Sequence, residues 1–240
     1  MTGCYHGCEY CYARSIARRF SNAKIDNGNN LIITLDNPYI SKNGKRQPYP
    51  YDFMPTFHKY RLGDIKRKSS GKSIFVCSMA DLFGEWVPDS WIQSIFNVCE
   101  KVQQNKYLFL TKNPKRYVEL AYKGQLPKGK NMYYGTTITN PAQPFFVSGY
   151  HRVFLSIEPI LEDFSIILRR LNWDDGKPVD WVIIGAETGN RKGKVIPEKS
   201  WIDPLVEYCD KYNVPVFMKD SLVPIMGDGN MRREFPWEVD

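Results

Sequence analysis

Residues 73–112 read SIFVCSMADLFGEWVPDSWIQSIFNVCEKVQQNKYLFLTK. They contain a strand, a crossover and a second strand. Ser73–Cys77 and Tyr107–Leu110 are apolar runs of strand length. Between them Pro88, Asp89 and Ser90 open a helix that continues through WIQSIFNVCEKVQQ, with Ile92, Ile95, Phe96, Cys99 and Val102 along one stripe. Strands that are apolar throughout and joined by a helical crossover bury both faces, which is the pattern of a parallel sheet.

The same rhythm extends in both directions. Phe53–Phe57, Met132–Thr136, Arg152–Ser156, Trp181–Ile184 and Val214–Met218 are further candidate strands, and WIDPLVEYCDKY sets Trp201, Leu205, Val206 and Cys209 on a second helical stripe. About six to seven parallel strands with no break in composition predict a single α/β domain over residues 1–240. A full or partial (β/α) barrel is the expected form, with an open doubly wound sheet as the alternative. Upstream, Tyr12–Phe20 has helical spacing, with Ala13, Ile16, Ala17 and Phe20 on one side. Residues 21–50, rich in Asn, Gly, Lys and Pro, predict an irregular surface excursion with a short extended piece at Leu31–Leu35.

Composition narrows the classes. The 240 residues are 42% hydrophobic and 25% charged, which excludes disordered, collagen-like and coiled-coil chains. No stretch approaches the roughly 18 apolar residues a membrane helix needs, and the N-terminal segment lacks a basic-then-apolar signal, so a soluble cytoplasmic protein without membrane contact is expected. The net charge of +7 favours polyanionic partners, nucleic acid among them. The cations fall in short groups: Arg14, Arg18 and Arg19; Lys42, Lys45 and Arg46; Lys66, Arg67 and Lys68; Arg191, Lys192 and Lys194.

In a barrel, polar groups at the C-terminal ends of strands converge on one pocket. Here those positions carry Ser78, Asp81, Thr111, Lys112, Thr137, Asn140, Glu158, Glu187, Lys219 and Asp220. Cys77 would end its strand facing that pocket, either as a hydrogen-atom donor or as a small buried hydrophobe. The loop Gly185–Lys194 lacks the glycine spacing of a phosphate cradle and is expected to cover the pocket. Cys99 and Cys209 are expected in the core.

Three of the six cysteines, Cys4, Cys8 and Cys11, lie within eight residues, so they do not form a disulfide framework. Structural zinc normally takes four ligands as two separated pairs. No second pair exists, and His6, between two of the cysteines, would strain the loop as a fourth ligand. Three closely spaced thiolates suit an iron–sulfur cube better, leaving one iron open to a ligand.

The spacing Cys4-x3-Cys8-x-Tyr10-Cys11, with a helix behind it, resembles the signature of the radical S-adenosylmethionine (SAM) superfamily. With FHKYRL, FVCSMADLFGEWVP, FLTKNP, FLSIEPIL, DWVIIGAETG and VPVFMKD, nearly the whole chain is similar to a radical-SAM-like family of bacterial and phage proteins of unknown function, and more distantly to spore photoproduct lyase. The resemblance implies a partial (β/α) barrel of the radical SAM type. It implies a [4Fe–4S] cluster on Cys4, Cys8 and Cys11 (cluster loop 3–12), and reductive cleavage of SAM to methionine and a 5′-deoxyadenosyl radical that takes a hydrogen from substrate. Tyr10, Ser78, Asp81, Lys112, Glu158 and Glu187 are the implied cofactor-binding residues, with Lys112 facing the SAM carboxylate. Flavodoxin or ferredoxin would supply the electron, and nucleic acid or a nucleotide is the favoured substrate class. Related chains place a strand before the cluster loop. Only Met1, Thr2 and Gly3 precede Cys4 here, so either the given sequence starts short of that strand or this barrel lacks it. The competing reading is a non-catalytic iron–sulfur protein that binds nucleic acid or carries electrons.

Overall fold

The computed structural model describes residues 1–21, 31–67, 71–165 and 179–238. Residues 22–30 of the expected excursion and Lys68 of one basic group lie outside them. Its contacts divide the chain into two compact units, Met1–Met132 and Tyr133–Asp240.

The first unit opens with a loop and helix α1, Tyr12–Phe20. Ala13 and Ala17, one turn apart, are buried against Phe53, while Arg18 and Arg19 occupy the last turn, where positive charge suits the helix dipole. Strands β1, Ile33–Leu35, and β2, Thr56–His58, pair in parallel as a separate two-stranded sheet, followed by a 3-10 turn and the short helix α2, Asp64–Arg67. Strand β3, Ser73–Phe75, leads to helix α3, Asp89–Glu100, then to β4, Lys106–Thr111, and helix α4, Pro114–Tyr122.

Strands β3 and β4 pair in parallel, as a helical crossover requires. In β4 the burial alternates, with Tyr107, Phe109 and Thr111 fully covered. Phe83, Phe96, Phe109 and Tyr117 close this core with ring centroids 4.5–6.1 Å apart. Cys99 is completely buried beside Ile95 and Phe96, as expected. Arg116 of α4 and Lys123, just past its C-terminal end, both reach Asp89 in the first turn of α3, at 2.5 and 3.2 Å.

In the second unit, β5 (Met132–Ile138), β6 (Arg152–Ile157), β7 (Trp181–Ile184) and β8 (Val216–Met218) pair in parallel in chain order, with α5 (Lys199–Lys211) between β7 and β8. Helix α6, Val223–Met226, follows β8. Gly135 is required by close packing: a Cβ there would lie 2.2 Å from the Phe154 ring. Trp181, Phe217, Phe235 and Trp237 form a further aromatic group. Ile202, Leu205 and Cys209 are the buried stripe of α5. The expected stripe holds at Leu205 and Cys209, whereas Trp201 and Val206 stay half-exposed and Ile202 points inward.

The larger sheet has six strands in the order β3-β4-β5-β6-β7-β8. That chain-ordered succession is barrel-like and lacks the strand-order reversal of an open doubly wound sheet. The α/β class with parallel strands is therefore as expected. Among the described residues, no helix is long and apolar enough to cross a membrane.

Two strand expectations are corrected. Phe53–Phe57 is not a strand of the main sheet. Met54 N–H closes a turn on the Tyr51 carbonyl, Asp52 has φ +52°, and Pro55 has no N–H to donate, so pairing begins at Thr56 and joins β1 instead. Ser73–Cys77 ends at Phe75, because Cys77 takes φ +57° in a turn that bonds its carbonyl to Ala80 N–H. Cys77 thus lies on a left-handed turn and not on a strand.

Candidate functional site

The cluster loop is fastened on both sides before its first cysteine. Thr2 exchanges backbone hydrogen bonds with Thr56, Gly3 N–H donates to Met79 C=O at 2.9 Å, and Cys4 N–H donates to Phe53 C=O at 3.1 Å. Gly3 has φ +84°, and a Cβ there would stand 2.1 Å from the Met54 carbonyl oxygen, so only glycine fits. Cys11 N–H turns back to Cys8 C=O, and α1 starts directly after it.

Two of the three sulfurs accept backbone N–H groups. His6 N–H points at Cys4 Sγ (3.5 Å), and Arg14 N–H, in the first turn of α1, points at Cys11 Sγ (3.4 Å). Cys11 is therefore the helix N-cap, its sulfur accepting an otherwise orphan N–H of the first turn. Burial pushes the Cys4 thiol up to about 12. The His6 N–H partly offsets this, and the negative fields of Asp81, Cys8 and Cys11 add to it. A thiol in that setting ionises when a cation binds nearby, so metal binding would release its proton.

Asp81 links this loop to the end of β4. It is buried, and its Oδ2 lies 2.7 Å from His6 Nε2 while accepting the Thr111 hydroxyl (2.9 Å) and Lys112 N–H (2.9 Å). Its Oδ1 accepts Phe83 N–H (2.9 Å). The acceptors of Asp81 are thus occupied within the protein, and its geometry is that of a tie. His6 also stands edge-on to Trp86, at 4.9 Å, and Tyr5 does so at 5.5 Å.

Lys112 Nζ donates to the Tyr10 hydroxyl at 2.7 Å and lies 5.0 Å from that ring's centroid. Tyr10 and Lys112, 102 residues apart, are therefore neighbours beside the cysteine loop, and both remain part-exposed. Ser78 is exposed, with its carbonyl accepting the Tyr12 hydroxyl at 3.1 Å; Cys77 is part-exposed.

In the second unit Glu158 pairs with Lys219 at 2.8 Å. Gly185 leaves room for that carboxylate, since a Cβ would come within 3.1 Å of it. Glu187 is buried and receives Arg191 through two bonds, 2.7 and 2.9 Å; that guanidinium holds its carboxyl below the ordinary glutamate range. Arg191 also donates to Gly193 C=O, and Lys194 N–H donates to Arg191 C=O, so the loop Gly185–Lys194 is folded on its own residues. Ala186 N–H donates to Ser221 Oγ at 3.0 Å.

Several of these features have no signal in the local sequence. The His6–Asp81 tie joins residues 75 apart with no local signal. Glu158 with Lys219 is equally non-local. The Glu187–Arg191 pair has an i, i+4 spacing that was visible in the chain. Among the described residues, no three His, Cys, Asp or Glu side chains converge where a single metal ion could sit. The chain matches, over residues 1–222, the family described as protein of unknown function (DUF5131). No curated protein and no solved structure matches it.

Proposed function

The chain belongs to the DUF5131 family, whose function is unknown, and we propose that it is a radical SAM enzyme on a partial (β/α) barrel. Cys4, Cys8 and Cys11 hold a [4Fe–4S] cluster in this reading. The observation that carries it is the cysteine loop itself: three thiols on a fastened turn, with backbone N–H groups aimed at two of the sulfurs.

The donor set fits such a cluster. The residues are soft thiols, Cys4 feels the charge of both Cys8 and Cys11, and the nearby carboxylate, Asp81, is engaged elsewhere and so does not compete as a ligand. A cube spreads its cysteines over separate irons, so ligands that fail to converge on one point suit it better than they suit zinc. When bound, cluster and SAM supply reductive cleavage of the sulfonium to methionine and a 5′-deoxyadenosyl radical.

The chain's own residues orient and shield. Lys112 offers an ammonium to a carboxylate beside the cysteines, with its backbone fixed by Asp81 and its head by Tyr10. Asp81 acts as a positioning residue through Lys112 and His6. Ser78 remains exposed for hydroxyl or amino groups, whereas Glu158 is paired with Lys219 and Glu187 holds its own loop. Cys77, on its turn, is the candidate hydrogen-atom donor. The proposed reductant is flavodoxin or ferredoxin, the substrate a nucleic acid or nucleotide, and the compartment the cytoplasm.

The test is anaerobic reconstitution with iron and sulfide, reduction by dithionite in the presence of SAM, and assay of 5′-deoxyadenosine against Cys8→Ala. Formation by the wild type alone supports the reading. A fully assembled cluster that neither binds nor cleaves SAM overturns it in favour of a non-catalytic iron–sulfur protein.

A further inference from the structure

The positive charge of the chain is concentrated. Residues 1–67 contain eleven Lys and Arg against five Asp and Glu, so they carry almost all of the net +7, while the remaining residues are nearly balanced. The fold gathers part of this excess. Tyr39–Gln47 forms a hairpin in which Gln47 N–H donates to Tyr39 C=O (3.0 Å), Ser41 N–H donates to Lys45 C=O (2.9 Å) and Ile40 bridges Arg46. The Gln47 side chain then donates to Phe20 C=O (3.3 Å), bringing the hairpin against the last turn of α1.

Arg18, Arg19, Lys42, Lys45 and Arg46 are all exposed there, and no carboxylate pairs with them among the described residues. Two acids of the same segment are paired with other cations, Asp36 with Lys59 and Asp64 with Arg61. Large apolar side chains adjoin these cations in the chain: Phe20 follows Arg19 and is 56% exposed, and Tyr39 (44%, its ring edge against Tyr51) and Ile40 (52%) precede Lys42. Unpaired cations beside two part-exposed rings, Phe20 and Tyr39, match a strand whose phosphates meet the charges and whose bases can stack.

We propose that the last turn of α1 and the hairpin Tyr39–Gln47 form a docking surface for single-stranded nucleic acid. The proposal deepens the substrate side of the reading above and rests on it for the purpose of the bound strand; binding itself requires neither cluster nor SAM.

The experiment is fluorescence anisotropy of the full chain with a labelled oligonucleotide of about 20 nucleotides, titrated at several salt concentrations. Lys42→Gln/Lys45→Gln/Arg46→Gln should weaken binding and flatten the slope of log K against log salt by about 2, at roughly 0.7 per lost phosphate contact. Phe20→Ala and Tyr39→Ala should each weaken binding about tenfold with the slope unchanged. Lys101→Gln/Lys130→Gln, exposed cations outside the surface, should bind as the wild type does. Arg18→Gln/Arg19→Gln provides a second test on the helix side if the hairpin variant misfolds by circular dichroism. Equal losses in the control pair, no binding at low salt, or tighter binding of duplex or of anionic vesicles would overturn the proposal. Cys8→Ala should bind the strand normally, so loss of SAM cleavage and loss of nucleic-acid binding are read separately.

Discussion

Asp81→Asn tests the tie between the cysteine loop and the end of β4. The carboxylate faces four polar groups: Phe83 N–H on Oδ1, and the Thr111 hydroxyl, Lys112 N–H and His6 Nε2 on Oδ2. In the variant, Oδ1 keeps Phe83, but the amide nitrogen replaces Oδ2. The Thr111 hydroxyl can rotate to accept from it, and His6 can present its other tautomer. Lys112 N–H cannot adapt, because a backbone N–H only donates, and it is left facing a second donor. An orphaned N–H costs about 1–3 kcal/mol when buried, and the part-buried Lys112 N–H falls at the lower end, while loss of charge assistance in the remaining bonds adds about 1 kcal/mol. The expected destabilisation is about 2–3 kcal/mol, a large share of an ordinary folding free energy. Urea unfolding of the reduced, metal-free protein measures it. His6→Ala in the same background should add less than its separate cost, because the two residues share the bond. A loss below about 1 kcal/mol, or strict additivity, would refute the reasoning.

Other consequences follow from the same geometry. His58 is buried against Thr2 Oγ1 (2.9 Å), and its pKa is pushed down to about 4, by burial first and then by neighbouring positive charge including Arg61. Its neutral form is the folded one, so its contribution is complete above about pH 6.5 and is lost as pH falls to about 4, amounting to about 3 kcal/mol; His58→Asn should flatten that part of the stability–pH curve. Arg191→Ala should cost about 2–3 kcal/mol by urea unfolding, since it strands the buried Glu187 carboxylate, and limited proteolysis should then cut within residues 185–194. The Glu187 contribution itself is present above the ordinary glutamate pKa and fades as pH drops below that range. Gly135→Ala should cost about 1–3 kcal/mol, as its methyl would displace the Phe154 ring, and Phe154→Leu should recover part of that loss in thermal melts.

The sequence displayed its parallel α/β character in the unit from Ser73 to Lys112, because its strands are apolar on both faces and its helix carries one stripe. Helix α1 has the expected bounds, and Cys99 and Cys209 are core residues for the same reason. What stayed hidden depends on single backbone angles or on distant partners. Pro55 and the turn before it moved a strand by three residues, and φ +57° removed Cys77 from its strand. Helix α4 is short, and its one clear sequence signal is Pro114 in its first turn. At the candidate site, residue types and the cysteine spacing were legible, but not that Asp81 is consumed by residues 6, 83, 111 and 112, nor that Lys112 meets Tyr10. The charge excess of residues 1–67 could have been counted, whereas its gathering depends on Gln47 reaching Phe20.

The most direct test of the central claim is electron paramagnetic resonance of the anaerobically reconstituted, dithionite-reduced protein with and without SAM. A three-cysteine cluster with an open iron should give a reduced [4Fe–4S] signal that changes shape on adding SAM, with Lys112→Ala requiring more SAM for the same change and Cys8→Ala giving no such signal. A signal indifferent to SAM, or a protein that takes up zinc alone, would contradict it.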